Sequence, residues 1–194
     1  MSILSSLSST FLPSPCALAI DWGMEKNSKK AAGWRGSREG WLDAALEALV
    51  AGGVDAVKIQ PLANRLSLSR TSFYWFFKDR KELLEAVIEA WNSKNTSALI
   101  AMADAYADTP AEAVLNVIGA FVDEDIFDPR LDFAMRGWAL QTPDVMARVN
   151  DADAQRLQAL RQMLERHGYD PSDADVRART MYLVQIGYIS MQVR

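Results

Sequence analysis

Residues 59–84 read IQPLANRLSLSRTSFYWFFKDRKELL and contain two short helical patterns separated by a sharp turn. In both patterns the apolar residues recur every three to four positions, which is the spacing of an α-helix. They are Leu62, Ala63 and Leu66 in the first pattern, and Phe73, Phe76 and Phe77 in the second. Two short helices joined by so tight a corner form a helix-turn-helix, whose second helix can lie in the major groove of DNA.

The outward face of the second helix consists of hydrogen-bond donors and flat rings. Arg70 can make a bidentate contact to guanine, and the two hydroxyl residues after it can bond to base edges or touch a thymine methyl group. Tyr74, Lys78 and Arg80 are placed to contact phosphates, which supply most of the affinity for DNA. The predicted DNA contacts, including the residues that begin the two helices, are Gln60, Ser69, Arg70, Thr71, Ser72, Tyr74, Trp75, Lys78 and Arg80.

Residues 41–91 resemble the N-terminal DNA-binding domain of the TetR family of transcriptional regulators. The matching pieces are WLDAALEAL, AGGVDAV, PLANRL and SRTSFYWFFKDRKELLEAV, and the run from Phe73 to Leu84 is the most specific of them. The resemblance implies that Tyr74 and a basic residue at Lys78 or Arg80 hold the DNA backbone. Free backbone N–H groups at the start of the following helix are expected to add to this attraction.

Two residues depart from the pattern of this family. Ser67 stands where the family usually has glycine in the turn, and a serine with positive φ would cost about 1 kcal/mol. Phe76 stands where many members have histidine, which removes a polar group from the DNA-facing edge. Base preferences therefore do not carry over from relatives to this chain.

Composition limits the function classes that remain open. Of the 194 residues, 49% are apolar, so the chain can bury a core. Residues 1–94 hold 12 Lys and Arg against 10 Asp and Glu, whereas residues 95–194 hold 9 against 15, an asymmetry that suits DNA contact at one end. One cysteine, Cys16, and one histidine, His167, exclude an internal disulfide, a cysteine-rich metal site and His-pair chemistry. We expect no cofactor, no metal, no enzymatic activity and no contact with a membrane.

Residues 1–36 read as a tail that is disordered or that includes an over-long start, with Met24 as the alternative initiator. Pro13 and Pro15 interrupt its apolar stretch and a positive n-region is missing, so a signal peptide is not expected. Residues 37–84 are predicted to form the helix-turn-helix DNA-binding domain. Residues 85–194 are predicted to form a helical ligand-sensing and dimerisation domain, as the family resemblance implies.

Start and stop signals divide the chain into helices. The predicted ranges are residues 38–51, 60–66, 69–76, 80–107, 111–122, 129–140, 143–167 and 174–194, with Ser37, Ser69 and Asp79 as N-caps. Since no segment alternates with period two, the chain is predicted to be all-α. The acidic run at residues 123–128 is read as a solvated loop because it lacks the spacing of a calcium loop.

The second domain is expected to make a dimer, because one recognition helix reads only half of a palindromic operator. The family resemblance implies that this domain also holds a small-molecule effector. The predicted dimer residues are Leu157, Leu160, Leu164, Val176, Thr180, Leu183, Val184, Gly187 and Met191. The predicted pocket residues, which are also typical of ordinary core, are Trp91, Met102, Tyr106, Phe121, Phe133, Met135 and Trp138. Ligand binding is expected to shift the separation of the two recognition helices.

The sequence therefore favours a ligand-responsive repressor that acts as a homodimer on double-stranded DNA in the cytoplasm, associated with the nucleoid. The alternative is a helical ligand-binding or interaction protein that has lost specific DNA reading. A helical-bundle enzyme has no nucleophile–base pair or phosphate loop to support it.

Overall fold

The structure is a computed structural model that describes residues 36–191. All of the regular elements in this range are helical, which confirms the predicted all-α fold class. The helices are α1 (Arg38–Gly52), α2 (Ile59–Arg65), α3 (Arg70–Phe73), α4 (Arg80–Trp91), α5 (Ala98–Asp104), α6 (Pro110–Val122), α7 (Pro129–Ala139), α8 (Pro143–Arg166) and α9 (Pro171–Met191), with a 3-10 turn (Val54–Ala56) and a π-helix (Asn92–Ser97). Residues 1–35 of the predicted tail, with Cys16, lie outside the described residues.

Side-chain caps explain where most helices begin. The Ser37 hydroxyl accepts a hydrogen bond from the Gly40 N–H at 3.0 Å, and an Asp79 carboxylate oxygen accepts one from the Glu82 N–H at 2.9 Å. Asp128, in the predicted acidic loop, accepts from the N–H groups of Arg130 and Leu131 and so begins α7. These side chains replace the intrahelical partners that the first N–H groups of a helix lack.

The long helix predicted for residues 80–107 is wrong as a single α-helix. It is α-helical to Trp91, continues as a π-helix through Asn92–Ser97, and resumes as α5 to Asp104. In the π-helix two neighbouring polar residues, Asn95 and Thr96, are both buried. A helical pattern read from apolar spacing gives no sign of such a segment, because the residues that turn inward are polar.

One apolar core joins the first four helices to α7 and to the start of α8. Trp41 of α1, Phe73 of α3 and Val87 of α4 are fully buried in it, and Met135 and Trp138 of α7 belong to the same cluster. The helices on either side of the helix-turn-helix, α1 and α4, therefore pack directly on α7. A second core lies among α5, α6, α8 and α9 and includes Leu99, Val117, Leu160, Met163 and Ala178.

A network of charged and polar side chains lies inside the second half of the chain. Asp132 of α7 and Arg156 of α8 are both fully buried, and Arg156 Nη1 lies 3.0 Å from Asp132 Oδ1. Trp91 Nε1 also donates to Asp132 Oδ1 at 2.9 Å, and Arg156 Nε donates to the Thr96 hydroxyl at 3.0 Å. The pair thus connects α4, the π-helix, α7 and α8.

A second ion pair extends this network to α9. Arg136 donates to Asp132 Oδ2 at 3.0 Å and makes a bidentate contact with Asp153 at 2.9 and 2.7 Å. Tyr182 of α9 donates its hydroxyl hydrogen to Asp153 Oδ1 at 2.6 Å, and its oxygen accepts from Arg136 at 3.2 Å and from Arg156 at 3.3 Å. Five helical segments therefore meet at one polar centre.

Burial tends to raise the pKa of Asp132 and of Tyr182, but neighbouring charges reverse this effect only at Asp132. Burial alone would raise the pKa of Asp132, but the Arg156 and Arg136 guanidinium groups outweigh it and lower that pKa below its ordinary value. Burial, supported by the Asp153 carboxylate, raises the pKa of Tyr182 to about 12. Asp132 is therefore ionised and Tyr182 is neutral throughout the physiological pH range.

We predict that Asp132→Asn destabilises the fold by about 3–5 kcal/mol at pH 7, because the buried guanidinium of Arg156 loses its counter-charge. Urea unfolding measures this change. Because the folded pKa of Asp132 is depressed, its stabilising contribution is present above the unfolded value of about 3.9 and is lost as pH falls through the folded value. The gap between wild type and variant should therefore shrink at acidic pH.

The matched control is Asp151→Asn on the exposed side of α8, which should change stability by less than about 0.5 kcal/mol. Equal stability of the two variants at pH 7 would contradict the role assigned to the buried pair.

Candidate nucleic-acid interface

The turn between α2 and α3 has the strained geometry expected from its sequence. Ser67 has φ of 55°, in the left-handed region that glycine usually occupies. The N–H of Ser67 donates to the Asn64 carbonyl at 3.1 Å, and the N–H of Leu68 donates to the Ala63 carbonyl at 2.9 Å, so both bonds close the end of α2. A non-glycine residue in this region costs about 1–2 kcal/mol, which the packing around the turn must offset.

Helix α3 is shorter than predicted. Ser69 is its N-cap, as expected, but the α-helix ends at Phe73 rather than Phe76. The N–H groups of Tyr74, Trp75 and Phe76 bond to carbonyls three residues earlier, so the chain continues as tighter turns. The ring of Phe73 packs edge-on against Trp41 at 5.3 Å and stacks on Phe77 at 5.5 Å, and these contacts fix α3 on α1.

Four of the predicted contact residues share one exposed surface. Arg70 and Thr71 lie at the start of α3, and Tyr74 and Trp75 lie just after it, with 49% and 59% of their surfaces exposed. Arg70 Nη2 donates to the Tyr74 hydroxyl at 3.3 Å, so the cation and the ring lie side by side. This surface offers guanidinium and hydroxyl donors beside two aromatic rings.

Ser72, which was predicted to contact a base, does not belong to this exposed surface. Its side chain is fully buried, and its hydroxyl donates to the Ser69 carbonyl at 2.7 Å. Ser72 lies beside Phe73, on the side of the short helix that faces the core. Sequence reasoning could not see this orientation because a small hydroxyl residue fits either face.

Gln60 and Lys78 are both exposed, one on each side of this surface in the chain. The Gln60 side chain donates to Asn64 Oδ1 at 2.9 Å. The N–H of Lys78 donates to the Glu82 carboxylate at 2.7 Å, while Asp79 caps the N–H of Glu82. Because Asp79 already accepts from the Glu82 N–H, part of the N–H attraction expected at the start of α4 is used within the protein.

Arg80 has a structural role for which the sequence offers no signal. Its Nε donates to the Val57 carbonyl at 2.5 Å, and its Nη2 donates to the Val54 carbonyl at 2.6 Å. Both carbonyls belong to the turn before α2, so the half-buried Arg80 fastens that turn to the start of α4. Arg80, which was predicted to contact phosphate, therefore donates two hydrogen bonds to the backbone of the protein itself.

The predicted effector-pocket residues do not line a common cavity. Trp91, Met135 and Trp138 are buried in the core next to α1, whereas Tyr106 and Phe133 are exposed on the surface. Phe121 packs edge-on against Phe127, and Met102 is half-buried in α5. A cavity of about 830 Å³ lies elsewhere, between α6 and α9, and none of these seven residues lines it.

The predicted dimer residues divide between the inside and the outside of the chain. Leu160 and Leu164 of α8 are buried in the second core against α5, α6 and α9, so they are not available to a partner, and Leu157 is half-buried beside them. The residues on α9 are different, since all of them are at least partly exposed: Val176, Thr180, Leu183, Val184, Gly187 and Met191.

Two further site types were sought in the described part of the chain. Across residues 36–191, no three His, Cys, Asp or Glu side chains are grouped so that they could hold a metal ion. None of the helices described is both long enough and apolar enough to cross a membrane.

Comparison with known proteins agrees with the class that these features define, a helix-turn-helix protein. Residues 42–87 match the model of the family described as "Bacterial regulatory proteins, tetR family". The tetracycline repressor protein class A from transposon 1721 of Escherichia coli is 36% identical over 63 residues, covering 32% of this chain and 29% of the repressor. The uncharacterized HTH-type transcriptional regulator TtgW of Pseudomonas putida is 37% identical over 60 residues, covering 31% of this chain and 45% of TtgW.

Solved structures extend the likeness to most of the fold. A transcriptional regulator (TerR/AcrR family) from Aquifex aeolicus VF5 aligns with a TM-score of 0.62 and 18% identity over 82% of this chain and 90% of that one. SmeT, the repressor of the Stenotrophomonas maltophilia multidrug efflux pump SmeDEF, aligns with a TM-score of 0.58 and 23% identity. This alignment covers 80% of this chain and 78% of SmeT.

The chain matches less than half of the length of these curated relatives. The chain is therefore similar to TetR-family regulators in two respects: residues 42–87 match the family model, and the all-helical fold is similar to that of the solved structures.

We predict that Arg80→Gln lowers stability by about 1–3 kcal/mol, because two half-buried carbonyls lose a charged donor. Lys78→Gln removes an equal charge from an exposed position two residues away and should change stability by less than about 0.5 kcal/mol. Thermal and urea unfolding of both variants give the comparison. If Arg80→Gln proved as stable as Lys78→Gln, the contacts with Val54 and Val57 would not hold the turn.

Proposed function

We propose that this chain is a transcriptional repressor that binds a palindromic operator as a homodimer and responds to a small molecule. The observation that carries the proposal is the exposed group Arg70, Thr71, Tyr74 and Trp75, which lies on the second helix of a helix-turn-helix and on the turn that directly follows it. Arginine is the side chain that most often reads guanine, and the aromatic and hydroxyl groups suit contacts with sugar and phosphate. The protein is not an enzyme in this proposal, and it acts in the cytoplasm where its DNA lies.

Repression is favoured by the relatives rather than by the geometry. The tetracycline repressor and SmeT are repressors by name. The tetracycline repressor is similar to this chain in sequence over 63 residues, and SmeT is similar in fold over 80% of this chain. In this proposal, residues 37–84 bind DNA, and residues 85–194 sense the effector and form the dimer. The packing of α1 on α7 supports communication between these parts, because a shift of α7 would move the helix-turn-helix.

The outer face of α9 supports the dimer. Val176, Leu183, Val184 and Met191 have between 62% and 75% of their surfaces exposed, and with Thr180 and Gly187 they follow one side of the helix. A Cβ added at Gly187 would meet no atom within 4 Å, so the monomer leaves this side of the helix open. An exposed apolar stripe of this length marks an interaction surface, and a two-fold axis would pair it with itself.

The outer face of α8 is polar, so it is a less suitable dimer surface than the apolar stripe of α9. Gln155, Gln158 and Gln162 are exposed along it, and Arg161 is drawn towards Glu165 and Asp175 instead. We therefore assign the contact between subunits to α9 and not to the leucines of α8.

We predict that the purified protein binds duplex DNA from its own upstream region more tightly than a shuffled duplex, with affinity that falls steeply as salt is raised. Arg70→Ala should lower the preference for the upstream duplex by about 1–3 kcal/mol, since it removes a base contact. Fluorescence anisotropy at several salt concentrations measures both quantities.

Arg130→Ala is the matched control, because it removes an exposed arginine at the start of α7, outside the helix-turn-helix. Equal binding of upstream and shuffled DNA at every salt concentration would refute the operator-binding proposal. The chain would then be a helical ligand-binding or interaction protein without specific DNA reading.

We predict that Leu183→Glu combined with Val184→Glu produces a monomer, because four like charges would face one another across the two-fold axis. Binding to the upstream duplex should weaken by about 100-fold or more when the two half-sites are no longer held together. Analytical ultracentrifugation and anisotropy provide the two readouts.

Ala147→Glu combined with Asn150→Glu adds the same two charges to the exposed side of α8, away from the α9 stripe, and should leave the dimer intact. A wild-type protein that sediments as a monomer while binding the upstream duplex specifically would exclude the dimer but not the DNA contact.

A further inference from the structure

The cavity between α6 and α9 opens onto the surface and reaches down to the second core. Its inner wall contains Leu164, which is 2% exposed, together with Val114, Tyr169 and Met181, which pack against the same core cluster. The volume of about 830 Å³ lies within the range of small-molecule sites, which is about 300–1,000 Å³. Because its inner wall is hydrophobic core, the cavity can bury one apolar face of a ligand of that size.

The polar groups of the cavity are few and are already balanced in charge. Arg177 and Asp173, both about half exposed, stand one turn apart on α9, and their charged groups are 3.6 Å apart. The Arg177 guanidinium also lies 4.8 Å from the centre of the Tyr169 ring. Because Asp173 neutralises Arg177, a charged ligand would find no excess of opposite charge, whereas an uncharged ligand could still accept a hydrogen bond from the guanidinium.

The remaining wall favours rings and other polarisable groups. The thioether of Met181 adapts to irregular shapes and makes favourable contacts with aromatic rings, and Tyr169 presents a ring of its own. Val114 and Leu164 add branched aliphatic surface. A largely apolar, ring-containing molecule therefore fits this wall better than a sugar or a nucleotide would.

We propose that this cavity is the effector site and that it binds uncharged, ring-containing, predominantly apolar molecules. The assignment rests on the ligand-responsive function proposed above and gives that function a place and a ligand class. Val176 and Thr180 line the cavity and also belong to the α9 stripe, so a bound molecule borders the surface assigned to the dimer. Occupancy therefore changes the packing of α9, and through α9 the affinity for DNA.

The test uses the full chain without DNA and two fluorescent probes that share the same rings. N-phenyl-1-naphthylamine is uncharged, and 8-anilino-1-naphthalenesulfonate carries a sulfonate. The uncharged probe should bind saturably at one site per chain and about tenfold or more tightly than the sulfonate.

Filling the cavity provides the site-specific control. Ala111 is exposed and lines the cavity, so Ala111→Trp should weaken the uncharged probe by about tenfold or more without disturbing the core. Ala147→Trp makes the same change at an exposed alanine of α8, away from the cavity, and should leave probe binding unaltered.

Three results would overturn the assignment. Equal probe binding by wild type and Ala111→Trp would place the probe elsewhere, and tighter binding of the sulfonate would refute the uncharged class. If the wild-type protein did not bind the uncharged probe, the cavity would not be a small-molecule site. If, in that case, Ala111→Trp also changed self-association, the cavity would instead be a contact between two copies of the chain.

The link to regulation is measured separately, so that its failure can be told from failure of the DNA-binding proposal. Saturating uncharged probe should weaken wild-type binding to the upstream duplex by about fivefold or more and leave Ala111→Trp unaffected. Probe binding with no change in DNA affinity would refute the regulatory role of the cavity, whereas loss of specific DNA binding in the absence of probe would refute the operator proposal alone.

Discussion

The buried ion pair between Asp132 and Arg156 is the constraint on which the second half of the structure depends. Removing an ion from water costs several kcal/mol, so each group of the pair depends on its counter-charge and its hydrogen bonds. Asp132 receives hydrogen bonds from Trp91 and from two guanidinium groups, and Arg156 lies against the Trp91 and Phe127 rings at 5.3 and 5.6 Å. Helices that supply these partners cannot slide past one another without leaving a charge unpaired, so the pair fixes their mutual register.

This requirement gives a physical reason for the π-helix, and it shows what sequence patterns can and cannot reveal. Caps, prolines and apolar spacing located most helix starts, because Ser37, Asp79 and the prolines of α6, α7 and α8 act within a few residues of their own position. Asn95 bonds instead to the backbone of Asp128, 33 residues away, and Thr96 bonds to Arg156, 60 residues away. Local patterns hold no information about such distant partners, so the pattern predicts an ordinary α-helix where the structure has the π-helix Asn92–Ser97.

The helix-turn-helix shows the same division at smaller scale. Its existence and its aromatic scaffold could be predicted because Phe73 and Phe77 repeat with the helix period and bury against Trp41. The direction of individual polar side chains could not be predicted. Ser72 is buried and donates its hydroxyl hydrogen to the Ser69 carbonyl, and Arg80 turns back to two carbonyls that only the folded turn brings within reach. Polar residues near the interface thus divide into those that face outward and those that hold the motif together.

Helix α9 connects these parts because each of its sides has a different neighbour. Its inner side carries Tyr182 into the buried network, its outer side carries the exposed apolar stripe, and its flank closes the cavity with α6. A molecule in the cavity can move α9 only by lengthening the bonds of Tyr182 to Asp153 and Arg136 or by carrying those groups along. Arg136 and Asp132 lie on α7, whose apolar residues Met135 and Trp138 pack in the core that also holds α1. The fold thus offers a continuous path from the α9 flank to the helix-turn-helix, made of short charged contacts at one end and close apolar packing at the other.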